Sequence, residues 1–298
     1  MGENAAAQGV FNMKKIIALI MTALIAVFGC ISLTGCSDDN KLVVYTEAGF
    51  APFEYVSGGK IVGADVDIMQ KVADKLGKTL QFEDVDFNVI IDNVSSGKLT
   101  KIGAAGLSIT PARQEKVAFS VPYYTANLYV IYKASEEASY VSMTTDKVNG
   151  VYWNAFANKK VGYQTGTTAD LFFGDEIAEG GTLYDEATQK PTATATGYSD
   201  YITALADMGK NIDVIIMDEL PAQQLIKNNS EYKCAPLYYK GGEGENDEVA
   251  CDEYAIAVTK GETELLNTIN EVLNELLNTK DATGKNGVEQ LVMKHLGM

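Results

Sequence analysis

The chain has 298 residues, of which 46% are hydrophobic and 21% are charged, so it is long enough for two domains and too apolar to be disordered. Its formal net charge of −16 argues against nucleic acid or an anionic membrane surface as a partner. Such a charge is instead typical of a soluble, monomeric exported protein.

The N-terminal part of the chain reads as a targeting segment rather than as part of the fold. Two lysines precede an apolar run over residues 16–28, which has the length of a signal peptide. Residues 33–36 (LTGC) resemble the lipobox of bacterial lipoproteins, so we expect a leader over residues 1–35 and lipidation of Cys36. The alternative is an uncleaved transmembrane anchor, because the apolar region extends to Leu33 and approaches the lower length limit of a spanning helix. Both alternatives place the rest of the chain outside the membrane.

Strands and helices alternate along the first half of the folded region. The pattern predicts a strand over residues 41–46, a helix from Asp65 or Asp67 to Gly77, a strand over 80–85, a helix over 87–96 and a strand from Ile102. This alternation predicts an α/β fold with a mostly parallel sheet and helices on both faces. Ligands bind beyond the carboxyl ends of strands in such sheets, and Glu47, Phe50 and Ser108 all follow strand ends.

Residues 106–113 (GLSITPAR) organise this first half. The apolar run before them reads as a buried strand, and Thr110 and Pro111 then read as an N-cap followed by proline at the first helical position. A strand that stops where a helix begins directs backbone N–H groups and the positive end of a helix dipole at one point. Arg113 lies in the first helical turn, where its guanidinium can pair bidentately with a carboxylate. The alternative for Arg113 is a surface salt bridge.

The second half repeats the order of the first. A strand over residues 160–164 runs into the small-residue turn 165–170, and a strand over 212–217 runs into a helix that starts at 218–221 (DELP). The pair Ser108 to Pro111 and Asp218 to Pro221 occupies matching positions in the two halves. Two matching α/β lobes would face each other across a cleft.

The predicted organisation therefore has one interrupted lobe and one continuous lobe. We expect a tether over residues 36–40, a first lobe over 41–125 together with 253–298, and a second lobe over 126–252. Residues 250–258 would return the chain to the first lobe, and an amphipathic helix over 264–278 would pack there.

Only two cysteines, Cys234 and Cys251, follow the predicted lipidation site. Two cysteines in an exported chain are often paired, so we expect a disulfide between them.

Several stretches in this order resemble the amino-acid-binding proteins of bacterial ABC importers, solute-binding family 3. These stretches are AGFAPFEY, VGADVDIMQKVADKLG, GLSITPARQEKVAFSVPYY, VGYQTGTTA, DVIIMDELPA and DEYAIAV, and the resemblance covers roughly residues 41–298. It implies a two-lobed clamp of the type II periplasmic-binding-protein fold, with a two-strand hinge near residues 123–127 and 250–254. The lobes of such proteins close on one free L-amino acid, and the closed form docks on a transporter permease. The resemblance implies neither a cofactor nor a metal.

The resemblance also implies roles for individual residues. Arg113 would clamp the ligand α-carboxylate with the backbone N–H groups of Ser108 and Thr168. Asp218 would accept the α-ammonium with the Gly106 carbonyl and the Ser108 hydroxyl. The remaining implied contacts are two aromatic walls and two polar residues at the end of the ligand side chain, namely Phe50, Phe87, Glu47 and Gln164.

The physical chemistry of a zwitterion agrees with these roles. A site for one carboxylate and one ammonium needs one fixed cation and one fixed anion, and Arg113 and Asp218 supply them from opposing lobes. Structural interpretations stay open: the two phenylalanines could be ordinary core residues, Asp218 a helix N-cap, Thr168 a turn residue and Glu47 a solvated acid.

The favoured function is an extracytoplasmic, lipid-anchored binding protein that delivers a polar L-amino acid to an ABC importer. Glu47 and the aromatic walls favour a cationic ligand such as arginine or lysine, and Gln164 would also suit glutamine. One alternative is a dehydratase-type enzyme on the same fold, which would need a positioned general acid or base besides Glu47. The other is a ligand-sensing receptor module, and a permease and an ATPase in neighbouring genes would favour the importer over it.

Overall fold

The computed structural model describes residues 40–298, so the predicted leader, Cys36 and nearly all of the tether lie outside the described residues. Within this range the chain forms two large β-sheets and two small ones. The strands are β1 (Lys41–Thr46), β2 (Gly49–Phe50), β3 (Glu54–Ser57), β4 (Lys60–Val62), β5 (Thr79–Asp84), β6 (Ile102–Gly103), β7 (Ala118–Phe119), β8 (Tyr124–Lys133), β9 (Val141–Met143), β10 (Asn149–Tyr152), β11 (Lys160–Gln164), β12 (Tyr184–Asp185), β13 (Lys190–Pro191), β14 (Thr194–Tyr198), β15 (Val214–Asp218), β16 (Tyr232–Tyr239), β17 (Glu248–Val249), β18 (Cys251–Tyr254) and β19 (Ala257–Val258).

The helices alternate with these strands and flank the large sheets. They are α1 (Ala64–Leu76), α2 (Phe87–Ser96), α3 (Pro111–Gln114), α4 (Glu137–Tyr140), α5 (Thr168–Ile177), α6 (Tyr201–Asp207), α7 (Glu219–Ile226), α8 (Thr263–Asn278) and α9 (Gly287–Leu296). Short 3-10 turns occur at Ala134–Glu136 and Trp153–Phe156. Across residues 40–298, no helix combines the length and the apolarity that a membrane crossing requires.

The first large sheet has the strand order β5–β1–β6–β19–β7. Strand β1 runs parallel to β5 and β6, with Val44 opposite Phe82 on one side and Ile102 on the other. The two βαβ units of this half therefore form as the alternation predicts. Strand β19 is antiparallel to β6 and β7, because it belongs to the segment that returns from the other half of the chain.

The second large sheet has the order β14–β11–β15–β8–β16–β10–β9. Strand β11 is parallel to β14 and β15, whereas β8 is antiparallel to β15 and β16. Every residue of β15 is buried, as expected for a strand covered on both faces. Both large sheets are thus mixed, and the prediction of mostly parallel sheets is corrected: β19 in the first sheet and β8 in the second run antiparallel to both of their neighbours.

The two halves are joined by an antiparallel pair of strands. Residues Tyr124 to Asn127 of β8 pair with β18, with Tyr124 opposite Tyr254 and Asn127 opposite Cys251. These are the strands that the resemblance implies as the hinge. The lobe boundaries at residues 125 and 253 stay a prediction, and both fall inside this paired segment.

The start of α1 departs from the sequence prediction. Its N-cap is Gly63 rather than Asp65 or Asp67. Gly63 has φ 146°, and a Cβ there would lie 1.9 Å from Phe53 O, so the close backbone approach excludes a side chain. Asp65 is buried and accepts hydrogen bonds from the Tyr123 hydroxyl (2.6 Å) and the Gly106 N–H (3.1 Å). It therefore ties the first helix to the 106–113 loop instead of capping the helix.

Helix α8 packs on the first half, as its apolar stripe predicts. Its residues Ile269, Val272 and Leu273 share one hydrophobic core with Ile68 and Val72 of α1. Helix α9 joins the same core and starts with a capping box. The C-terminal segment thus covers the sheet that carries β1.

The predicted disulfide between Cys234 and Cys251 is absent, and within residues 40–298 both cysteines are free thiols. Cys234 lies opposite Ile131 of β8, and Cys251 lies opposite Asn127 of the same strand. Four strand residues separate these positions by roughly 13 Å, about twice the Cα separation that a disulfide spans. The expectation failed because two cysteines in an exported chain carry no information about strand register.

Candidate functional site

The predicted ligand-binding residues converge on one cavity between the two large sheets. Eight of the nine line it, and they are Glu47, Phe50, Phe87, Gly106, Ser108, Gln164, Thr168 and Asp218. Apart from Phe50, which lies on the short strand β2, they end or follow β1, β6, β11 and β15 or begin the helices after β5 and β11, as expected for the carboxyl ends of strands in an α/β fold. The cavity wall also includes Glu54, Ala105 and Thr167, which the sequence did not single out.

Gly106 permits the turn that presents Ser108 to the cavity. It has φ 53°, and a Cβ there would lie 3.0 Å from Cε1 of Phe50. The positive φ and the close approach of the ring both favour glycine. The Gly106 N–H donates to the buried Asp65 carboxyl, and this hydrogen bond holds the turn in place.

Arg113, the ninth predicted ligand-binding residue, is not part of the cavity lining and instead bridges the two halves. It follows the predicted cap, since Thr110 accepts the Arg113 N–H and Pro111 occupies the first helical position. The guanidinium donates from Nη1 to Ser108 O (2.6 Å) and from Nη2 to Gly166 O (2.8 Å). Arg113 is only 7% exposed, so it is not the surface residue of the alternative interpretation. Its hydrogen bond to Gly166 reaches the second half. Burial lowers the pKa of Arg113, and the negative charges of Asp252 and Asp218 oppose that shift.

Three carboxyl groups line the cavity. Burial raises the pKa of Glu47 to about 7, and the negative charge of Asp84 adds to the increase. Glu54 is fully buried, and burial together with the charges of Asp65 and Glu47 raises its pKa well above the ordinary range. Burial also raises the pKa of Asp218, helped by the negative charge of Asp252. The cavity therefore destabilises the ionised form of all three carboxyl groups.

In the described part of the chain, two of these three acids have buried oxygens without a hydrogen-bond donor, whereas Glu47 accepts from Gln164 and from the Gly49 backbone. Considering residues 40–298, Oδ1 of Asp218 and both carboxyl oxygens of Glu54 are buried and accept no hydrogen bond. A buried carboxylate without a donor is costly, so a group that brings N–H donors or positive charge would be stabilised here. No cluster of His, Cys, Asp and Glu in the described part of the chain is arranged to hold a metal ion.

Two aromatic side chains, Phe50 and Phe87, line the cavity. The Phe50 ring lies 6.4 Å from the Tyr201 ring at an interplanar angle of 27°, and Phe50 also belongs to the main hydrophobic core. Phe87 is half-buried, and the Arg113 guanidinium lies 5.6 Å from its ring centroid. The core and cavity interpretations of Phe50 are thus compatible, because one face of a packed side chain can line a pocket.

The second half contributes polar groups. Gln164 ends β11, and its Nε2 donates to Ser199 O (2.9 Å), which fixes the orientation of the amide. Thr167 caps α5 by accepting the Asp170 N–H (3.4 Å), so Thr168 is the first helical residue and its backbone N–H is at the positive end of the helix. The Thr168 hydroxyl lies 3.5 Å from the Ser108 hydroxyl across the cleft.

Two acids near the site escaped the sequence analysis. Glu54 follows AGFAPF directly. An acid inside an otherwise apolar run could have indicated that its side chain is buried. Asp252 lies on β18, and its Oδ2 accepts hydrogen bonds from the hydroxyls of Ser108 and Thr168. Its neighbour Glu253 is exposed, so strand alternation would have pointed Asp252 inwards.

Comparison with known proteins agrees with this architecture. Residues 42–283 match the family model of the bacterial extracellular solute-binding proteins, family 3. The chain is 33% identical over 156 residues to the arginine-binding extracellular protein ArtP of Bacillus subtilis, a match spanning 50% of this chain and 59% of that protein. It is 28% identical over 278 residues to the putative ABC transporter arginine-binding protein 2 of Escherichia coli, spanning 91% and 96% of the two chains.

A solved structure is also similar over most of the chain. The amino acid ABC transporter substrate-binding protein AbpA of Streptococcus pneumoniae, solved bound to L-arginine, is 26% identical with a TM-score of 0.68. The match covers 89% of this chain and 98% of AbpA. The predicted clamp fold and the predicted class of non-enzymatic solute-binding protein are thereby confirmed. The chain belongs to the bacterial extracellular solute-binding proteins, family 3.

Proposed function

We propose that this protein binds L-arginine outside the cytoplasm and delivers it to an ABC importer. The observation that carries the proposal is the donor-poor acidic cavity: within residues 40–298, Asp218 and Glu54 present buried carboxyl oxygens that accept no hydrogen bond. Glu47 lines the same space. Arginine brings two positive groups and many N–H donors, so it can satisfy these acids where an uncharged side chain could not.

The ligand backbone would lie between Arg113 and Asp218. Arg113 and the backbone N–H groups of Ser108 and Thr168 would bind the α-carboxylate, since the guanidinium fork and the start of α5 both favour an anion. Asp218 would accept the α-ammonium together with the Gly106 carbonyl and the Ser108 hydroxyl. These assignments use the opposite charges that lie on the two sides of the cleft.

The ligand side chain would extend between Phe50 and Phe87 towards Glu47 and Gln164. A guanidinium is planar, stacks on aromatic rings and offers five donors, whereas an ammonium is a compact point charge. Two carboxyl groups that line the cavity, Glu47 and Glu54, therefore favour arginine over lysine. The names of the two relatives and the ligand of the solved structure point to the same amino acid.

Attachment to the membrane and delivery to a permease complete the proposal. A lipid on Cys36 would keep the domain close to its transporter, and bending at the β8–β18 strand pair would bring the two lobes together on the ligand. Labelling of cells with a fatty acid, followed by Cys36→Ser, tests the anchor: the label should be lost and the protein released from the membrane fraction. Retention of both would exclude Cys36 as the anchored residue.

Calorimetric titration with the twenty amino acids tests the ligand. We expect L-arginine to bind most tightly and lysine more weakly. Asp218→Asn and Glu47→Gln should each weaken arginine binding about tenfold or more, because each removes a charged partner. Glu179→Gln, an exposed acid at the end of α5, is the matched control and should leave binding unchanged. If none of the twenty amino acids binds, the proposed function is excluded.

A further inference from the structure

Asp252 joins the two halves of the molecule from the hinge strand β18. Its Oδ2 accepts a hydrogen bond from the Ser108 hydroxyl (2.8 Å) and a short one from the Thr168 hydroxyl. Ser108 follows β6 of the first sheet, and Thr168 begins the helix after β11 of the second. One side-chain oxygen is therefore shared by both sides of the cleft.

The backbone around Asp252 fixes this position. The Ile109 N–H donates to Glu253 O (3.1 Å), and the Ala255 N–H donates to Leu107 O (2.9 Å). These bonds align β18 with the loop that carries Ser108. The backbone at Asp252 is therefore held in place, and its short side chain reaches the two hydroxyls from there.

The surroundings of Asp252 match those proposed for the ligand α-carboxylate. Ser108 and Thr168 are the two residues whose backbone N–H groups are proposed to bind that ligand carboxylate, and their hydroxyls are the groups that Asp252 holds. The positive charge of Arg113 acts on the Asp252 carboxyl as well. Burial nonetheless raises its pKa. Within the described residues the second oxygen, Oδ1, is buried and accepts no hydrogen bond. Among residues 40–298, one carboxyl oxygen of Asp252 thus accepts two hydrogen bonds, and the other accepts none.

We propose that Asp252 is a built-in competitor of the ligand α-carboxylate, which holds the Ser108 and Thr168 hydroxyls together across the cleft until an amino-acid carboxylate displaces it. This inference rests on the proposed function. A contact that stabilises the protein before binding and is broken on binding weakens the affinity, because the ligand must replace it. The contact also bridges the two lobes before the ligand binds.

Two probes that differ only in the carboxylate separate this role from others. L-arginine carries the α-carboxylate, and agmatine is arginine without it. Removal of the Asp252 carboxyl by Asp252→Ala should tighten L-arginine binding about tenfold. Agmatine does not compete for the hydroxyls, so its affinity should change less than about twofold. Glu253→Gln removes the same charge one residue along the strand, on an exposed side chain, and should change neither affinity.

Isothermal titration of the wild type, Asp252→Ala, Asp252→Asn and Glu253→Gln gives the comparison. Asp252→Asn keeps the volume of the side chain and covers the case in which the alanine variant does not fold. Weaker binding of both probes would overturn the inference in favour of a contact between Asp252 and the α-ammonium, which both probes carry. Unchanged L-arginine affinity in both variants would also overturn it.

A second measurement needs no ligand. Small-angle X-ray scattering of the wild type and the Asp252 variants should show a larger radius of gyration in the variants, because the bridge between the lobes is lost. Equal radii would overturn the inference. If the wild type binds no arginine but the variants expand, the proposed ligand is wrong and the bridging role of Asp252 stands; the two proposals therefore fail separately.

Discussion

Arginine affinity should depend on pH through Glu47. Its carboxyl lines the cavity, and burial raises its pKa to about 7. Below that pH the Glu47 carboxyl is protonated and neutral. It must lose this proton before it can pair with a cationic ligand side chain. Affinity should therefore be nearly constant above pH 7 and fall as the pH decreases through 7.

The size of the effect follows from that pKa. With a pKa of about 7 before binding and a much lower one beside a guanidinium, the affinity changes nearly tenfold per pH unit below 7. Between pH 7.5 and pH 5.5 the loss is about 25-fold, and roughly half a proton is released per ligand bound at pH 7.

Calorimetric titration with L-arginine at these pH values, in two buffers of different ionisation enthalpy, measures both quantities. Glu47→Gln is the control, because it keeps the shape of the side chain and cannot titrate. An affinity that stays constant from pH 5.5 to 7.5, or a pH dependence equally steep in Glu47→Gln, would refute the reasoning.

Further variants test other parts of the structure. Arg113→Ala should reduce arginine affinity more than about 100-fold, because the ligand carboxylate would be buried without its cation; wild-type affinity in titration would contradict the site. Glu54→Gln should stabilise the protein by about 1–3 kcal/mol at pH 8 and less at pH 5, since burial raises the pKa of this carboxyl and its ionisation costs stability as the pH rises. Equal urea midpoints of variant and wild type at pH 8 would exclude that cost. Gly63→Ala should lower the thermal midpoint by several degrees, because its Cβ would meet the Phe53 carbonyl; an unchanged midpoint would contradict the close approach. The exposed Cys251 thiol should react with a disulfide reagent without prior reduction, and no reaction would argue against a free thiol.

The local signals in the sequence predicted local structure well. Apolar runs located β1 and β15, glycines located the ends of α1 and α2, and the Thr110–Pro111 pair located the start of α3. Because the ends of neighbouring strands meet in an α/β sheet, the same reading brought eight site residues to one cavity.

The failures share a physical cause, which is that they depend on contacts between distant parts of the chain. Asp65 reads as a helix cap, but the Tyr123 hydroxyl, 58 positions away, makes it a buried acceptor. Asp252 meets Ser108 only because β18 aligns with the loop after β6. The two cysteines stay apart because the register of β16 and β18 on β8 separates them.

The ten-residue strand β8 has a mechanical consequence. Its first four residues pair with β18, and at the next position Leu128 lies opposite Asp218 of β15. A torsion of the strand pair thus turns Asp218 about a nearby pivot and displaces it little. Gly166 follows β11, which is one strand farther from β8 than β15 is. The same torsion should therefore displace Gly166 more than Asp218. We therefore expect the distance between Gly166 and Arg113 to change more with lobe motion than a distance measured from Asp218.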